Sequence, residues 1–317
     1  MPILYLSPTT DGALEHLLNH VRQLKADNPL TPVHILLPGS RVIQAVRRRL
    51  GQGMNLHLFE FYGLSQAVLN RTGSEIHCVS DITVHRLVDS LLAEMAAQGE
   101  LTSFAAVWQK PGFSQVIVEW LREMKSQGIW PEAFISHALP TNPERDRQLG
   151  SLYLRYQSFL QHHGLSDPDG LLWLAAEVLE STPGLFHSPG LLGVFGFDQF
   201  NPTQLRILRN LAGRFQQTSV YLTWDSHRHP ESLALTRLKD TRAQLEKALR
   251  LQVETLADAS PEVGRAAITR IRTRLFETGE KAARLAPSEV RLIAAPSREA
   301  EARQALRQVK ELLLGGV

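Results

Sequence analysis

The sequence has 317 residues, of which 43% are hydrophobic and 21% are charged, and its formal net charge is +2. This composition is typical of a folded globular protein with enough chain for one large domain or two ordinary ones. No apolar run reaches the roughly 20 residues that a membrane span needs. A single cysteine excludes an internal disulfide framework. We therefore expect a cytoplasmic protein without membrane contact, and the small net charge does not by itself indicate nucleic acid.

Short apolar runs alternate with amphipathic segments in the first part of the chain. Strands are predicted at 3–7, 33–37 and 56–61, and helices at 11–25, 41–50 and 63–73. Strand–helix alternation of this kind predicts a parallel sheet that is covered by helices on both faces.

The pattern changes from about residue 80, where helical periodicity continues to about residue 180 without a convincing strand. We interpret residues 79–184 as an all-helical insertion. The sheet is expected to resume with strands at 191–198 and 218–224.

The last part of the chain is mostly helical in pattern over 231–285. A strand is then predicted at 290–295, followed by a helix over 297–313. A single strand and helix cannot bury both faces of a sheet. This unit therefore either joins the first domain or opens a further one, and the second interpretation is favoured.

Several stretches are informative through their order. After the opening strand and helix come LLPGSRVIQAVRRRLG, LHLFEFYGLSQAVLNRTG, YLRYQSFLQHHGLSDPDGLLWLAAEVL, VFGFDQFNPTQLRILRNLA and VRLIAAPSREAEARQALRQVKELLLGG. In this order they resemble the UvrD-like helicase superfamily, and most closely the N-terminal region of AddB/RexB-type helicase–nuclease subunits. The resemblance covers nearly the whole chain, although each segment is individually weak.

The resemblance implies an α/β fold built on a RecA-like parallel sheet. It places a first RecA-like domain at 1–78 plus 185–285, the helical insertion at 79–184, and the start of a second RecA-like domain at 286–317.

An acidic residue ends the predicted strand at 191–198. Asp198 stands where nucleotide hydrolases hold Mg²⁺, but Gln199 follows it where such enzymes usually carry a Glu. Asp198 alternatively caps the next helix or an Asx-turn, and Asp167 and Asp169 are expected to cap the helix that follows them.

The resemblance places a phosphate loop after the first strand, where the sequence reads SPTTDGA. This loop has no Lys, Pro8 lacks an N–H group, and Asp11 adds negative charge beside the phosphates. We therefore predict a degenerate nucleotide site that does not hydrolyse ATP. Its residues are Ser7, Thr9, Thr10, Asp198 and Gln199. We assign no catalytic residue, no metal and no cofactor.

Basic and aromatic residues follow the second and third strands. Single-stranded DNA is bound by cations that contact phosphates and by aromatic rings that stack on bases. In the helicases that the chain resembles, these positions line the strand path, which makes Arg41, Arg47, Arg48, Arg49 and Tyr62 the DNA-binding candidates. The alternative is that Phe59 and Phe61 belong to the core and that the arginines form a solvated helix face.

Other patterns favour ordinary structural roles. The histidines at 162–163 and at 227 and 229 lack companions at zinc-ligand spacing. Cys78 is expected to be a buried structural residue, and Glu123 and Lys125 an ordinary i, i+2 pair on a helix.

By resemblance, the chain is expected to be a non-hydrolysing, helicase-like DNA-binding and scaffold region of a subunit that processes DNA double-strand breaks. Its expected partners are single-stranded or end-frayed DNA and an AddA-like helicase subunit. Two alternatives remain: a fragment of an active ATP-dependent helicase or exonuclease, and a protein–protein scaffold that does not contact DNA.

Overall fold

A computed structural model describes the chain in several segments: residues 1–73, 76–137, 142–225, 232, 235–257, 271, 275 and 292–315. The chain divides into two compact units. The first comprises Met1–Asp225 and Leu235–Ala259, and the second comprises Ser226–Ala234 and Ser260–Val317.

All strands of the described residues lie in the first unit. They are β1 (Ile3–Ser7), β2 (Val33–Leu36), β3 (Leu56–Phe59), β4 (His77–Cys78), β5 (Leu165–Ser166), β6 (Ser188–Val194), β7 (Phe215–Thr223) and β8 (Gln252–Thr255). Six of them form one parallel sheet in the order β3-β2-β6-β7-β1-β8, and β4 pairs with β5.

The strands are connected by helices, as parallel pairing requires. The helices of the described residues are α1 (Thr10–Asp27), α2 (Ser40–Leu50), α3 (Phe61–Asn70), α4 (Asp81–Ala97), α5 (Phe113–Ser126), α6 (Pro131–Ser136), α7 (Pro143–His162), α8 (Pro168–Ser181), α9 (Pro202–Ala212), α10 (Thr236–Leu249) and α11 (Arg298–Leu314). No helix among these residues is long and apolar enough to cross a membrane.

Helices cover both faces of the large sheet because its strands are apolar on both sides. Val33 and Ile35 of β2 pack with Leu17 of α1 in one core cluster. Leu36 of the same strand packs on the other face with residues of α3, α8, α9 and α10, including Leu208. The predicted RecA-like α/β fold with a covered parallel sheet is therefore confirmed.

The helical segment has a core of its own. Buried residues of α4, α5 and α7 surround Tyr153, and Trp108, Trp120 and Trp130 pack against them. The predicted helical character is confirmed, with one addition. Two-residue strands, β4 and β5, pair beside these helices, and such short strands have too few residues to produce a periodic pattern.

Two predicted strands end earlier than expected. β3 ends at Phe59, and Phe61 is instead a buried residue in the first turn of α3. β6 ends at Val194, and Gly196 then turns the chain with a φ of 87°. Both aromatic residues still pack with the core: Phe61 is buried, and Phe59 is partly buried against it.

The structure of the C-terminal half of the chain differs from the prediction in two places. The sequence analysis missed β8, a short edge strand with the largely polar sequence QVET, inside a segment expected to be mostly helical. The strand predicted at 290–295 is not formed at residues 292–295, and 290–291 lie outside the described residues. Most of 231–285 beyond α10 and β8 also lies outside them.

The described helix of the second unit is α11. The side chain of Ser297 caps it by accepting a hydrogen bond from the Ala300 N–H at 3.2 Å. Its apolar residues are exposed, including Leu306, Val309 and Leu313. This helix confirms the segment predicted at 297–313.

Gly190 offers a test of the sheet. The pairing of β6 is irregular between Ser188 and Leu191, and a Cβ atom at Gly190 would lie 1.7 Å from the Pro32 carbonyl oxygen. Since that oxygen also accepts the Leu191 N–H at 3.0 Å, we predict that Gly190→Ala forces the strands apart. The expected cost in the free energy of unfolding is about 3 kcal/mol, measured by urea denaturation. Gly213→Ala is the control, because its Cβ meets no atom within 4 Å; equal midpoints for the two variants would contradict the prediction.

Candidate nucleotide and nucleic-acid site

The carboxyl edge of the sheet is the place where the sequence-predicted residues meet. In a parallel sheet the carboxyl ends of all strands lie at one edge, and ligands of open α/β sheets bind there. Thr9 and Thr10 follow β1, Arg41 follows β2, Tyr62 follows β3 and Asp198 follows β6. Between β1 and β6 lies one strand, β7.

The β1–α1 connection is very short. Only Pro8 and Thr9 separate Ser7, the last residue of β1, from Thr10, the first residue of α1. A phosphate loop uses about six residues between the strand and its Lys to surround the phosphates with N–H groups. Two residues cannot do this, and Pro8 has no N–H group to offer.

The polar groups of this connection bind each other. The Thr9 hydroxyl accepts the Gly12 N–H at 3.1 Å and so caps α1. The Ser7 hydroxyl donates to the Thr9 carbonyl at 2.8 Å, and the Thr10 hydroxyl lies 3.3 Å from that of Thr223 on β7. The position beside the helix N-terminus, where a phosphate is bound in nucleotide hydrolases, is taken up by the protein's own side chains.

The acidic position after β6 is separated from the end of its strand. Asp198 lies four residues beyond Val194, and both Asp198 and Gln199 are exposed. The Asp198 carbonyl accepts a hydrogen bond from the Thr241 hydroxyl at 2.6 Å. Among the described residues, its carboxylate has no hydrogen-bond partner.

The predicted capping role of Asp198 is wrong for α9. Asn201 caps this helix: its side chain accepts the Gln204 N–H at 2.8 Å, and the Gln204 side chain accepts the Asn201 N–H at 3.0 Å. Because α9 begins at Pro202, the residue directly before it is Asn201, and Asp198 lies too far from the helix start to cap it.

The four candidate arginines of α2 are not one cluster. Arg41 lies in the first turn, at the carboxyl edge, whereas Arg47, Arg48 and Arg49 lie in the last turn. At about 1.5 Å per residue, Arg48 is roughly 10 Å further along the helix axis than Arg41. Arg49 is paired with Glu15 of α1, while Arg41, Arg47 and Arg48 are exposed and form no ion pair with the described residues.

Tyr62 is at the carboxyl edge and is 36% exposed, so its side chain is partly accessible to solvent. Its hydroxyl accepts a hydrogen bond from the Gln66 side chain at 3.0 Å. A hydrogen bond with the Cys78 thiol and partial burial raise the pKa of Tyr62. Cys78 itself is half-buried, and burial raises the pKa of its thiol.

A buried ion pair lies in the helical segment that adjoins this edge. Lys125 of α5 is 1% exposed and donates to both carboxylate oxygens of Asp167, at 2.7 and 2.9 Å. The Lys125 ammonium also donates to the Gln157 side chain at 3.0 Å. The carboxylate that pairs with Lys125 is thus Asp167, and not Glu123 two residues earlier on the same helix.

Asp167 has partners for both of its oxygens. One accepts the Gly170 N–H at 2.6 Å, which confirms Asp167 as the cap of α8, and the other accepts the Tyr156 hydroxyl at 2.6 Å. Burial and the nearby Asp167 charge raise the pKa of Tyr156, so this hydroxyl stays protonated and donates. Asp169 lies in the first turn and does not cap the helix; burial and Asp167 raise its pKa to about 6.

One further pair of residues at the carboxyl edge was not predicted from the sequence. Trp224 follows β7 directly, and the Arg242 guanidinium lies 5.3 Å from the centre of its ring. Trp224 could have been identified from its place after a predicted strand, but Arg242 comes from α10 and meets it only in the fold. In the described part of the chain, no group of three or more His, Cys, Asp or Glu side chains could hold a metal ion.

Comparison with known proteins gives a consistent result. Residues 12–266 match the family model described as "ADDB, N-terminal". A relative from Natranaerobius thermophilus, named as a subunit of the ATP-dependent helicase/deoxyribonuclease, is 26% identical over 223 residues. The matched residues are 67% of this chain and 19% of that protein.

Two further relatives carry the same name. The protein of Desulforudis audaxviator is 27% identical over 321 residues, covering 94% of this chain and 27% of the relative. The protein of Staphylococcus epidermidis is 21% identical over 246 residues, covering 72% and 20%. The chain thus spans 27% or less of the length of these relatives.

The buried ion pair can be tested by removing one charge. We predict that Lys125→Met costs about 3–5 kcal/mol in the free energy of unfolding, because it leaves the Asp167 carboxylate buried and uncompensated. Adding Asp167→Asn to this variant should recover part of the loss, since Asn still caps α8. Urea denaturation measures both.

The matched control is Arg122→Ala, which removes an exposed ion pair with Asp81 at 2.8 Å. An exposed pair contributes at most about 1 kcal/mol. The prediction fails if Lys125→Met is no more destabilising than this control.

Proposed function

The chain belongs to the family described as ADDB, N-terminal, and from that premise we propose that it is a helicase-like DNA-binding and scaffold region that does not hydrolyse nucleotide. The observation that carries the proposal is the β1–α1 connection. It is two residues long and contains no Lys, and the Ser7 and Thr9 hydroxyl groups form hydrogen bonds with the backbone beside it. The whole protein would process DNA ends in repair.

The domain organisation that supports this function is part of the proposal. Residues 1–78 and 185–285 would form a first RecA-like domain, residues 79–184 its helical insertion, and residues 286–317 the start of a second RecA-like domain. In this organisation the first sheet presents its carboxyl edge to the DNA.

We propose that single-stranded DNA crosses the carboxyl edge. Arg41 would bind phosphate and Tyr62 would stack on a base, which is the combination that single-strand binding uses. Arg41 has no carboxylate partner among the described residues, and the Tyr62 ring is partly exposed. Both are therefore available to a ligand.

A motor would have to come from another chain. The relatives are named as belonging to an ATP-dependent helicase/deoxyribonuclease. Since we propose that the nucleotide site of this chain is degenerate, an AddA-like helicase subunit is the proposed partner, and it would supply ATP hydrolysis.

The degenerate site predicts that nucleotide does not stabilise the chain. A ligand at a hundred times its Kd stabilises the native state by about 2.7 kcal/mol, which raises the melting temperature. We expect no rise with millimolar Mg-ATP in a thermal denaturation experiment. A rise that Asp198→Ala abolishes would indicate a metal-dependent nucleotide site and would favour the active-helicase alternative.

If single-stranded DNA crosses the carboxyl edge, substitutions at the two ends of α2 should change the DNA affinity differently. Fluorescence anisotropy with a labelled oligothymidylate should show binding that weakens steeply with salt. Arg41→Ala and Tyr62→Ala should each weaken it about tenfold, in keeping with the loss of a phosphate contact or a stacked base. The double variant Arg47→Ala/Arg48→Ala removes two charges from the other end of the helix and should leave the affinity within about twofold.

Two outcomes would change the interpretation. Equal weakening by Arg41→Ala and by the double variant would mean that the strand runs along α2, as the sequence pattern suggested. Absence of binding at low salt would contradict the DNA role and leave the protein–protein scaffold.

A further inference from the structure

The outer edge of the large sheet is open at β3. Among the described residues, β3 pairs with β2 alone. The Asn55 carbonyl accepts a hydrogen bond from Val33 of β2 at 2.9 Å, and the Phe59 carbonyl accepts one from Leu37, directly after β2, at 2.8 Å. Because the N–H and C=O groups of successive residues point to opposite sides of a strand, those of Leu56 and Leu58 point away from the sheet.

A basic cavity lies beside this edge. One part, of about 450 Å³, is lined by Gln44, Arg47, Arg48, Gly51 and Gln52. A neighbouring part of about 330 Å³ shares Arg47, Gly51 and Gln52 with it and is also lined by Gly53, Leu56 and Leu58. The cavity therefore joins the arginines at the end of α2 to the side chains of the open strand.

The loop that shapes the cavity is held in place. The Lys25 ammonium donates to the carbonyls of Pro29 at 3.2 Å, Thr31 at 2.6 Å and Met54. The Asn55 side chain donates to the Leu30 carbonyl at 2.8 Å. These contacts fix the C-terminal end of the connection before β3 against the α1–β2 connection, and the Gly51 N–H donates to the Arg47 carbonyl at 2.9 Å at its other end.

The positive charge of the cavity is not neutralised within the described chain. Neither Arg47 nor Arg48 forms an ion pair with a described residue, and the Arg48 side chain contacts only the Gln44 carbonyl of its own helix at 3.4 Å. The neighbouring Arg49 is bound to Glu15. Two guanidinium groups therefore remain available to an anionic partner.

We propose that this cavity and the open edge of β3 bind an extended acidic segment of a partner protein. The segment would add a strand beside β3, and its carboxylates would pair with Arg47 and Arg48. Strand addition is a general mode of peptide recognition, in which main-chain hydrogen bonds supply affinity and pockets accept alternate side chains. The inference does not depend on the proposed DNA site.

The open strand edge favours a peptide over a nucleic acid. The edge offers both N–H donors and C=O acceptors, and a peptide backbone supplies a complement to each. A phosphate backbone supplies acceptors alone, so the outward carbonyls of Leu56 and Leu58 would gain no partner from it. Guanidinium groups bind carboxylates in a bidentate manner as readily as phosphates.

The test uses a labelled peptide of alternating Val and Glu and the full chain. We expect saturable binding by fluorescence anisotropy, weakened at least tenfold by Arg47→Ala/Arg48→Ala and unchanged by Arg41→Ala. Both arginines are exposed, so the double variant should keep its unfolding midpoint, which is measured alongside.

Two modified peptides separate strand addition from simple charge attraction. A peptide with alternate backbone amides N-methylated keeps its charge but loses the donors of one edge, and it should bind at least tenfold more weakly. A peptide with Lys in place of Glu should not bind. Equal binding of the methylated peptide, or the absence of any binding by the Val–Glu peptide, would overturn the proposal.

Single-stranded DNA serves as the competitor. An oligothymidylate should not displace the peptide from the unmodified chain. Displacement that is lost in the Arg47→Ala/Arg48→Ala variant would show that the cavity is a nucleic-acid site, and it would overturn the peptide assignment while leaving the Arg41 and Tyr62 test unaffected.

Discussion

Parallel pairing of every strand in the large sheet is the constraint from which the rest of the molecule follows. Each strand must end at the same edge, and each connecting helix must carry the chain back to the opposite edge. A residue's distance from the end of its strand therefore decides which surface it joins. Arg41 and Tyr62 both lie at the carboxyl edge because each is in the first turn of the helix that follows its strand. Arg47 and Arg48 lie in the last turn of α2 and are therefore far from this edge.

The same constraint places the β1–α1 connection at the carboxyl edge, where its polar groups bind one another. In a nucleotide hydrolase, bound phosphate satisfies the N–H groups at the start of the first helix. Here the Thr9 hydroxyl satisfies the Gly12 N–H, and the Ser7 hydroxyl fastens the loop to the Thr9 carbonyl. An N-cap of this kind contributes about 1 kcal/mol. The start of α1 is thus stabilised by side chains of the two-residue connection itself.

The sequence predicts the interior of this fold better than its ends. Apolar runs such as Val33–Leu36 are buried on both faces, so their pattern identifies them directly. The ends depend on contacts that the pattern does not contain. β6 ends where Gly196 takes a left-handed turn, and Asn201 becomes the cap of α9 because the turn is longer than the minimum. The family resemblance rests on the order and spacing of the segments, so it does not depend on where each strand or helix ends.

The candidate site was only partly predictable for the same reason. A residue that follows a strand of a parallel sheet can be assigned to the carboxyl edge from its sequence position, as for Thr9, Arg41 and Tyr62. Pairing between distant elements does not follow from sequence position. Nothing in the Glu–Met–Lys sequence indicates that Lys125 of α5 reaches Asp167, because Asp167 caps a different helix and the two come together only in the fold. Exposed and buried lysines look alike until the partner charge is located.

The buried ion pair also bears on how the two parts of the first unit are linked. Lys125 lies on α5, Asp167 precedes α8, and α8 packs against α3 of the sheet layer through Leu172 and Val68. Tyr156 and Gln157 of α7 bind the same pair of charges, so three helices converge on it. Removing either charge would leave the other unpaired at the junction of these helices. This pair, together with the packing of Trp173 of α8 in the core of the helical segment, therefore holds α5, α7 and α8 against one another beside the sheet layer.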